Sequence, residues 1–113
     1  IFGLLSCNAQ SKKFESVDVA TFAKVIADST VVLLDVRTPE EYEEAHIENA
    51  INIDVLQDNF ESKAISILSK DKKIALYCRS GKRSKKAANI LAAKGYKIVE
   101  LNTGYLGWIE AKK

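Results

Sequence analysis

The sequence predicts a single α/β domain built on a central, mainly parallel, five-stranded sheet with helices on both faces. Segments with strand patterns alternate with segments of helical periodicity, as they do in proteins with parallel sheets. Two strand segments, 31–36 and 73–77, are apolar apart from Asp35 and Lys73, which is typical of strands buried on both faces. With 113 residues, of which 47% are hydrophobic, the chain is long enough for one domain with its own core.

The predicted elements are, in chain order, strand 14–17, helix 18–27, strand 31–36, helix 38–45, strand 50–55, helix 58–68, strand 73–77, helix 84–94, strand 96–101 and helix 105–111. The first helix is predicted from Asp18, which can cap it, and from the apolar residues at helical spacing that follow. The second begins with a capping box, in which Thr38 and Glu41 can each bond the other's backbone. Pro39 suits the first helical position because its φ is already fixed there.

The remaining elements rest on the same two periodicities. The strand over 50–55 is predicted from alternating apolar and polar residues, and the helix after it from a single apolar face. The buried strand 73–77 ends directly before Cys78. The helix over 84–94 again has one apolar face, and Gly95 ends it. A last strand and a short helix complete the alternation.

Composition gives no support to several kinds of function. The formal net charge is only +2, so the overall charge does not favour nucleic acid binding. The two cysteines, Cys7 and Cys78, are too few and too far apart for a zinc site. No apolar run is long enough to span a membrane. We therefore predict neither a metal nor an organic cofactor. Basic residues do cluster locally after Cys78, and they are Arg79, Lys82, Arg83, Lys85 and Lys86.

Residues 1–13 are predicted to lie outside the domain, which covers 14–113. Leu4–Cys7 resembles the lipobox at which bacterial lipoprotein precursors are cut, after which the cysteine carries lipid. On this interpretation the apolar start is the end of a signal peptide, and residues 8–13 form a flexible polar linker. We expect membrane attachment through a lipidated Cys7 in the bacterial periplasm. The alternative is a disordered N-terminus on a cytoplasmic protein.

Cys78 is the strongest candidate for a catalytic residue. It follows a buried strand, and ligands of open parallel sheets bind beyond the carboxyl ends of the strands. Only residues 79–83 separate it from the next predicted helix, and Gly81 allows a tight turn that aims backbone N–H groups at one point. The helix N-terminus adds the positive end of its dipole. This environment favours a thiolate and can hold an anion. The alternative is a buried structural thiol beside a solvated basic face.

Three motifs resemble those of the rhodanese family of sulfurtransferases. The first, Cys78-Arg79-Ser80-Gly81-Lys82-Arg83-Ser84, is similar to the family's active-site loop. The second consists of residues 35–42 followed by His46-Ile47 and residues 50–53. The third is Gly104-Tyr105 with Trp108, near the C-terminus. The resemblance covers about residues 14–112, with the motifs in the family's order and spacing. It implies the rhodanese-like fold and a sulfurtransferase activity.

The resemblance also implies a role for each site residue. Cys78 would be the nucleophile that accepts sulfur, and the backbone of the next five residues would bind the persulfide sulfur and the substrate anion. Those five are Arg79, Ser80, Gly81, Lys82 and Arg83. Asp35 and Arg37 would belong to the structural framework near the site, and we expect Arg37 to pair with a carboxylate such as Glu41. The single histidine, His46, would be structural.

The implied reaction has two steps. Cys78 takes the outer sulfur of a small anionic donor such as thiosulfate and passes it to cyanide, to a thiol or to a protein acceptor. We expect a monomer. The sequence departs from the family pattern at Ala45, where a glycine is usual, and at Thr103, the first of two usual glycines. Both positions lie outside the loop that follows Cys78.

Three alternatives remain on the residues alone. A cysteine-dependent phosphatase or arsenate reductase needs an arginine six residues after its cysteine; that position is Ser84 here, and Arg83 comes one residue too early, so the loop length favours sulfur transfer. A non-catalytic binding or sulfur-relay module would present the same fold to a partner. A redox protein would use Cys7 to resolve an oxidised Cys78.

Overall fold

Strands and helices alternate through residues 13–113, the part of the chain that the computed structural model describes. The elements are β1 (Glu15–Val17), α1 (Val19–Ile26), β2 (Val32–Asp35), α2 (Pro39–Glu44), β3 (Ile51–Asn52), α3 (Phe60–Ile67), β4 (Lys73–Tyr77), α4 (Lys82–Ala93), β5 (Lys97–Leu101) and α5 (Gly104–Ala111). The strands form one sheet in the order β1-β5-β4-β2-β3, and every pairing in it is parallel. The predicted five-stranded α/β domain is confirmed.

Helices cover both faces of the sheet. The central strand β4 directs alternate side chains to opposite faces, and each set packs against a different group of helices. On β4, Ile74 and Leu76 join a core cluster that includes residues of α3 and α4. Ala75 and Tyr77 join a second cluster, to which α1 contributes Phe22 and α5 contributes partly buried aromatic rings. The sheet is therefore buried on both sides, as the apolar strand runs predicted.

Two element boundaries differ from the prediction in ways that matter for the site. The helix after Cys78 begins at Lys82, two residues earlier than expected, because Gly81 takes a left-handed conformation that ends the turn sooner. The predicted strand over 50–55 is regular only at Ile51–Asn52, although the Ile53 N–H still donates to the Asp35 carbonyl at 3.0 Å. The capping box of α2 is present as predicted.

The N-terminal predictions fall outside the described residues. They are the lipobox, Cys7 and all but the last residue of the linker. Within residues 13–113, no helix is both long enough and apolar enough to cross a membrane.

Candidate active site

Cys78 lies at the carboxyl end of β4, the central strand of the sheet. Its side chain is buried, with a relative exposure of 1%, and packs at the edge of the core cluster that α3 and α4 share. The thiol makes no disulfide within the described residues. The sulfur therefore lies at the bottom of the loop, with little of its surface exposed.

The turn between Cys78 and α4 directs a backbone donor at this sulfur. The Gly81 N–H donates to Cys78 Sγ at 3.1 Å. Gly81 holds a φ of 108°, which side chains with a Cβ rarely adopt, and a Cβ there would collide with the Asn102 carbonyl oxygen. One donor of the predicted N–H cradle is thus present, at a position that requires glycine.

The predicted anion-binding residues are arranged around the rim of this turn. Arg79 and Ser80 are exposed, and Lys82 is exposed at the first position of α4. Since α4 runs for 12 residues, the positive end of its dipole lies next to the turn. Two exposed cations and the positive end of a helix dipole therefore lie on the turn, while the sulfur itself stays buried.

Helix α5 holds the loop from its other side, a feature that sequence reasoning missed. The N–H of Tyr105 donates to the Cys78 carbonyl at 2.8 Å, and the N–H of Leu106 donates to the Arg79 carbonyl at 3.0 Å. Gly104 has a φ of 67°, and a Cβ there would collide with the Arg79 carbonyl group. The available signal was the Gly104-Tyr105 motif, which marks the close approach of α5 to the loop.

Arg37 forms a buried ion pair with a carboxylate, as expected, but its partner is Asp35 and not Glu41. Its guanidinium binds Asp35 through Nε at 3.0 Å and Nη2 at 2.7 Å, and Nη2 also donates to the Ala45 carbonyl at 2.7 Å. Burial alone would lower the pKa of Arg37, but the hydrogen bonds to Asp35 raise it above its ordinary value. The planar group also lies over the Tyr105 ring, 4.6 Å from its centroid. Asp35 and Arg37 are thus buried framework residues that support α5.

The partner of Glu41 is Arg83. The two side chains form a bidentate pair, with Nη1 to Oε1 at 2.7 Å and Nη2 to Oε2 at 3.0 Å. The hydrogen bonds from Arg83 lower the pKa of Glu41 from 4.5 to about 2. The pair ties α4 to α2, and it holds the Arg83 guanidinium on a protein carboxylate.

We expect the substitution Glu41→Gln to weaken the acid dependence of stability. Because the folded-state pKa of Glu41 lies below its unfolded value of 4.5, the stabilisation is complete above about pH 4.5 and disappears as the pH falls towards about 2. Both side chains are about a quarter exposed, so solvent screening reduces the effect to roughly 1–2 kcal/mol.

Urea unfolding of both proteins at about pH 7 and about pH 3 measures this difference. The variant should be less stable at neutral pH, and should lose less stability on acidification. Glu43→Gln is the matched control, since Glu43 is exposed on α2 and forms no ion pair among the described residues. Equal acid sensitivity in wild type and Glu41→Gln would contradict the prediction.

His46 lies two residues beyond the end of α2, and its ring stacks on Tyr42 with centroids 3.8 Å apart. Its Nδ1 is 2.7 Å from the Tyr42 carbonyl oxygen. These contacts are local, in keeping with the structural role that the resemblance implied.

A buried carboxylate behind Cys78 was not found from the sequence. Ser84 Oγ is 3.4 Å from Cys78 Sγ, and the same hydroxyl is 2.5 Å from Glu100 Oε2. Glu100 is fully buried on β5. A charged residue inside the apolar strand run 96–101 was the signal that could have found it.

A cleft of about 340 Å³ opens beside the loop. Its wall is mixed in character, with charged and apolar side chains from α2, the loop and α5. The residues that line it are Arg37, Glu41, Glu44, Ala45, Arg79, Tyr105, Leu106 and Ile109. A small molecule or a side chain of a partner protein could enter the site along this cleft.

Comparison with known protein families decides which fold family this loop belongs to. The model of the rhodanese-like domain matches residues 18–111. The chain belongs to the rhodanese-like domain family. The resemblance seen in the motifs is confirmed, and the match covers the whole sheet except β1.

Relatives place the rhodanese-like domain in proteins of different size. Thiosulfate sulfurtransferase 18 of Arabidopsis thaliana is 35% identical over 94% of this chain and 86% of that protein. A tRNA uridine(34) hydroxylase of Pelagibacter ubique is 33% identical over 94% of this chain, which spans only 36% of that protein's length. A rhodanese-related protein of Thermoplasma volcanium has a crystal structure with a TM-score of 0.77 and 35% identity, covering 87% of this chain and 93% of that one. Membership of this family supports sulfur transfer in general.

Proposed function

We propose that this rhodanese-like protein moves a sulfane sulfur from thiosulfate or a persulfide donor to a thiophilic acceptor, cyanide or a thiol, through a persulfide on Cys78. The observation that carries the proposal is the short turn that aims the Gly81 N–H at Cys78 Sγ from 3.1 Å. A fixed backbone donor stabilises the negative charge that develops on the sulfur as the thiol loses its proton, and later the charge on the persulfide, without reorganisation during the reaction.

In the first step, a sulfur electron pair of Cys78 attacks the outer sulfur of thiosulfate. The new S–S bond forms on Cys78 while the S–S bond of thiosulfate breaks, and its electron pair leaves with sulfite. Because Cys78 is only 1% exposed, a donor that presents its sulfur as a terminal atom reacts most easily. Thiosulfate is such a donor, and the exposed cations Arg79 and Lys82 attract its negative charge.

Several features of the loop favour this reaction over phosphoryl or arsenate chemistry. Such enzymes wrap an arginine around the oxyanion, six residues beyond the cysteine. That position is Ser84 here, and the guanidinium of Arg83 is held by Glu41. The charge that remains at the entrance comes from Arg79 and Lys82 and from backbone N–H groups.

The experiment is intact-mass analysis before and after incubation with thiosulfate, followed by peptide mapping. We expect Cys78 to gain the mass of one sulfur atom, and cyanide to remove it as thiocyanate. An aryl phosphate and arsenate with a thiol reductant are the comparison substrates. Absence of the added sulfur with thiosulfate and with a low-molecular-weight persulfide would overturn the proposal, and so would Cys78-dependent turnover of either comparison substrate without sulfur transfer.

For the cellular acceptor we propose a thiol, either of a small molecule or of a protein, that approaches along the cleft beside the loop. Leu106 and Ile109 expose apolar surface there, and Arg79 offers a charge. We propose that the protein acts as a monomer.

For location we propose attachment to a bacterial membrane on the periplasmic side through lipid on Cys7. Leu4–Cys7 is the supporting motif. Mass spectrometry of the native protein, purified with detergent, tests this directly. A diacylated N-terminal Cys7 is the expected result, and a mature protein that carries an unmodified Cys7 would contradict it.

A further inference from the structure

The buried carboxylate of Glu100 has three partners at the back of the site. Its Oε2 accepts a hydrogen bond from Ser84 Oγ at 2.5 Å and lies 3.2 Å from Lys85 Nζ, while Oε1 accepts from Ser16 Oγ at 2.6 Å. Burying a carboxylate costs several kcal/mol unless partners compensate. A charge of this kind next to a reactive group is a candidate for a functional role.

The donors and acceptors among Cys78, Ser84 and Glu100 follow from the one proton that the Ser84 hydroxyl carries. An ionised carboxylate can only accept, so the single hydroxyl proton of Ser84 is donated to Glu100. Ser84 Oγ then faces Cys78 Sγ with a lone pair, at 3.4 Å, and can receive the thiol proton. The three residues form one chain, from S–H to hydroxyl to carboxylate. It crosses from the loop through α4 to β5.

We infer that Ser84 and Glu100 form a relay that carries the Cys78 proton during sulfur transfer, with Ser84 touching the reacting sulfur and Glu100 as the positioning residue behind it. The inference deepens the proposed function and rests on it. As Cys78 Sγ attacks the outer sulfur of thiosulfate, its proton passes to Ser84 Oγ and the Ser84 proton passes to Glu100 Oε2. Sulfite leaves with the electron pair of the broken S–S bond, so the products are the Cys78 persulfide anion and a neutral Glu100.

The second half of the reaction returns the proton. Cyanide or an acceptor thiolate attacks the outer sulfur of the persulfide, and the S–S electron pair stays on Cys78 as a thiolate. That leaving group recovers its proton from Ser84, which is reprotonated by Glu100. Every proton and charge is restored at the end of one turnover, and no external acid or base is needed.

Residues of α4, β1 and β4 lie against Glu100. Lys85 on α4 is its one charged partner among the described contacts, and its Nζ also donates to the Gly81 carbonyl at 3.1 Å and to Asn102 Oδ1 at 2.9 Å. From β1 the partner is the neutral Ser16, and from β4 the paired residue is the apolar Leu76. With only one cation beside it, the carboxylate is balanced when ionised, and when neutral it leaves Lys85 held by two oxygens.

The test is Glu100→Gln, which keeps an oxygen for the Ser84 hydroxyl but cannot take a proton. Persulfide formation with thiosulfate is measured in single turnovers from about pH 6 to about pH 9. Without the relay, only the free thiolate reacts, so the variant should lose about 10²-fold at the acidic end and approach the wild-type rate at the alkaline end. The wild-type rate should vary far less over this range.

Two further variants separate a relay from a structural role. Ser84→Ala should show the same pH-dependent loss, and combining it with Glu100→Gln should add little, because both interrupt one chain. If Glu100→Gln does not fold, Ser84→Ala alone tests the relay. Ser16→Ala removes the hydrogen bond to the other carboxylate oxygen of Glu100, Oε1. It should change the rate by the same factor at every pH. The relay is wrong if Ser84→Ala reduces the rate of persulfide formation by the same factor at every pH. Where Glu100→Gln folds, it must show the same uniform loss for this conclusion.

A second readout keeps this inference distinct from the proposed function. Alkylation of Cys78 by the neutral reagent iodoacetamide needs no sulfur donor, and the same relay should make it less pH-dependent in wild type than in Glu100→Gln. Failure of thiosulfate to load wild-type Cys78, with this difference still present, removes thiosulfate as donor and keeps the relay. Parallel alkylation profiles in the two proteins overturn the relay even if sulfur transfer is found.

Discussion

Replacing Cys78 by serine should reduce sulfur transfer from thiosulfate to cyanide by more than about 10⁴-fold, because the hydroxyl is a far weaker nucleophile and forms no persulfide. The fold should survive. The serine side chain fits the space of the buried thiol, and its oxygen can use the same partners, the Gly81 N–H and the Ser84 hydroxyl. Thiocyanate production under steady-state conditions measures the activity, and thermal unfolding measures the stability.

The chain's other cysteine provides the control for this experiment. Cys7→Ser should keep the thiocyanate rate of the wild type and the same added sulfur after thiosulfate. Loss of activity in Cys7→Ser, together with a disulfide between the two cysteines in the wild type, would support the redox alternative. Retained transfer in Cys78→Ser would show that another group carries the sulfur and would remove the proposed mechanism.

The architecture could be predicted because local patterns determine it. The segments 31–36 and 73–77 are apolar except for Asp35 and Lys73 and show no alternating polar face, so we predicted them inside a covered parallel sheet. The capping box of Thr38 and Glu41 acts between residues three apart and needs no tertiary information. The candidate nucleophile, Cys78, could be selected for the same reason, since the turn after it is short and contains Gly81.

Contacts between distant elements could not be predicted in this way. Arg37, Glu41 and Arg83 offered several ion pairs, and the choice depends on how α2 faces α4 and on how deeply each side chain is buried. The partner of Arg37 was therefore assigned wrongly. The start of α4 was placed two residues late because the backbone of Gly81, and not a side-chain cap, begins that helix.

Glu100 is the clearest case of a residue whose role depends on strand order. It lies 16 residues from Ser84 along the chain. The two meet only because β5 pairs directly with β4, and because α4 crosses back over that pair. Sequence periodicity shows that Glu100 sits in an apolar strand, but not which helix end faces it. A buried charge in such a strand is nevertheless a signal that can be used in other sequences.

Replacing Gly81 by alanine should reduce persulfide formation by about 10²-fold, comparable to the loss of one oxyanion-stabilising donor. Two costs act together. The φ of 108° strains any residue with a Cβ, by about 1–3 kcal/mol, and the added methyl group would collide with the Asn102 carbonyl oxygen. Relief of the collision has to move the turn, and the Gly81 N–H then leaves its position 3.1 Å from Cys78 Sγ.

Gly95→Ala is the matched control, because Gly95 also has a positive φ, 98°, but a Cβ there meets only the Lys70 side chain at 3.9 Å or more. Both variants should lose stability from backbone strain. Only Gly81→Ala should also lose the rate of sulfur loading, measured by single turnovers with thiosulfate at a temperature where both proteins are folded. Equal rates of sulfur loading in the two variants would mean that the backbone N–H of Gly81 does not activate Cys78. Activation would then have to come from Ser84 and from the exposed cations Arg79 and Lys82.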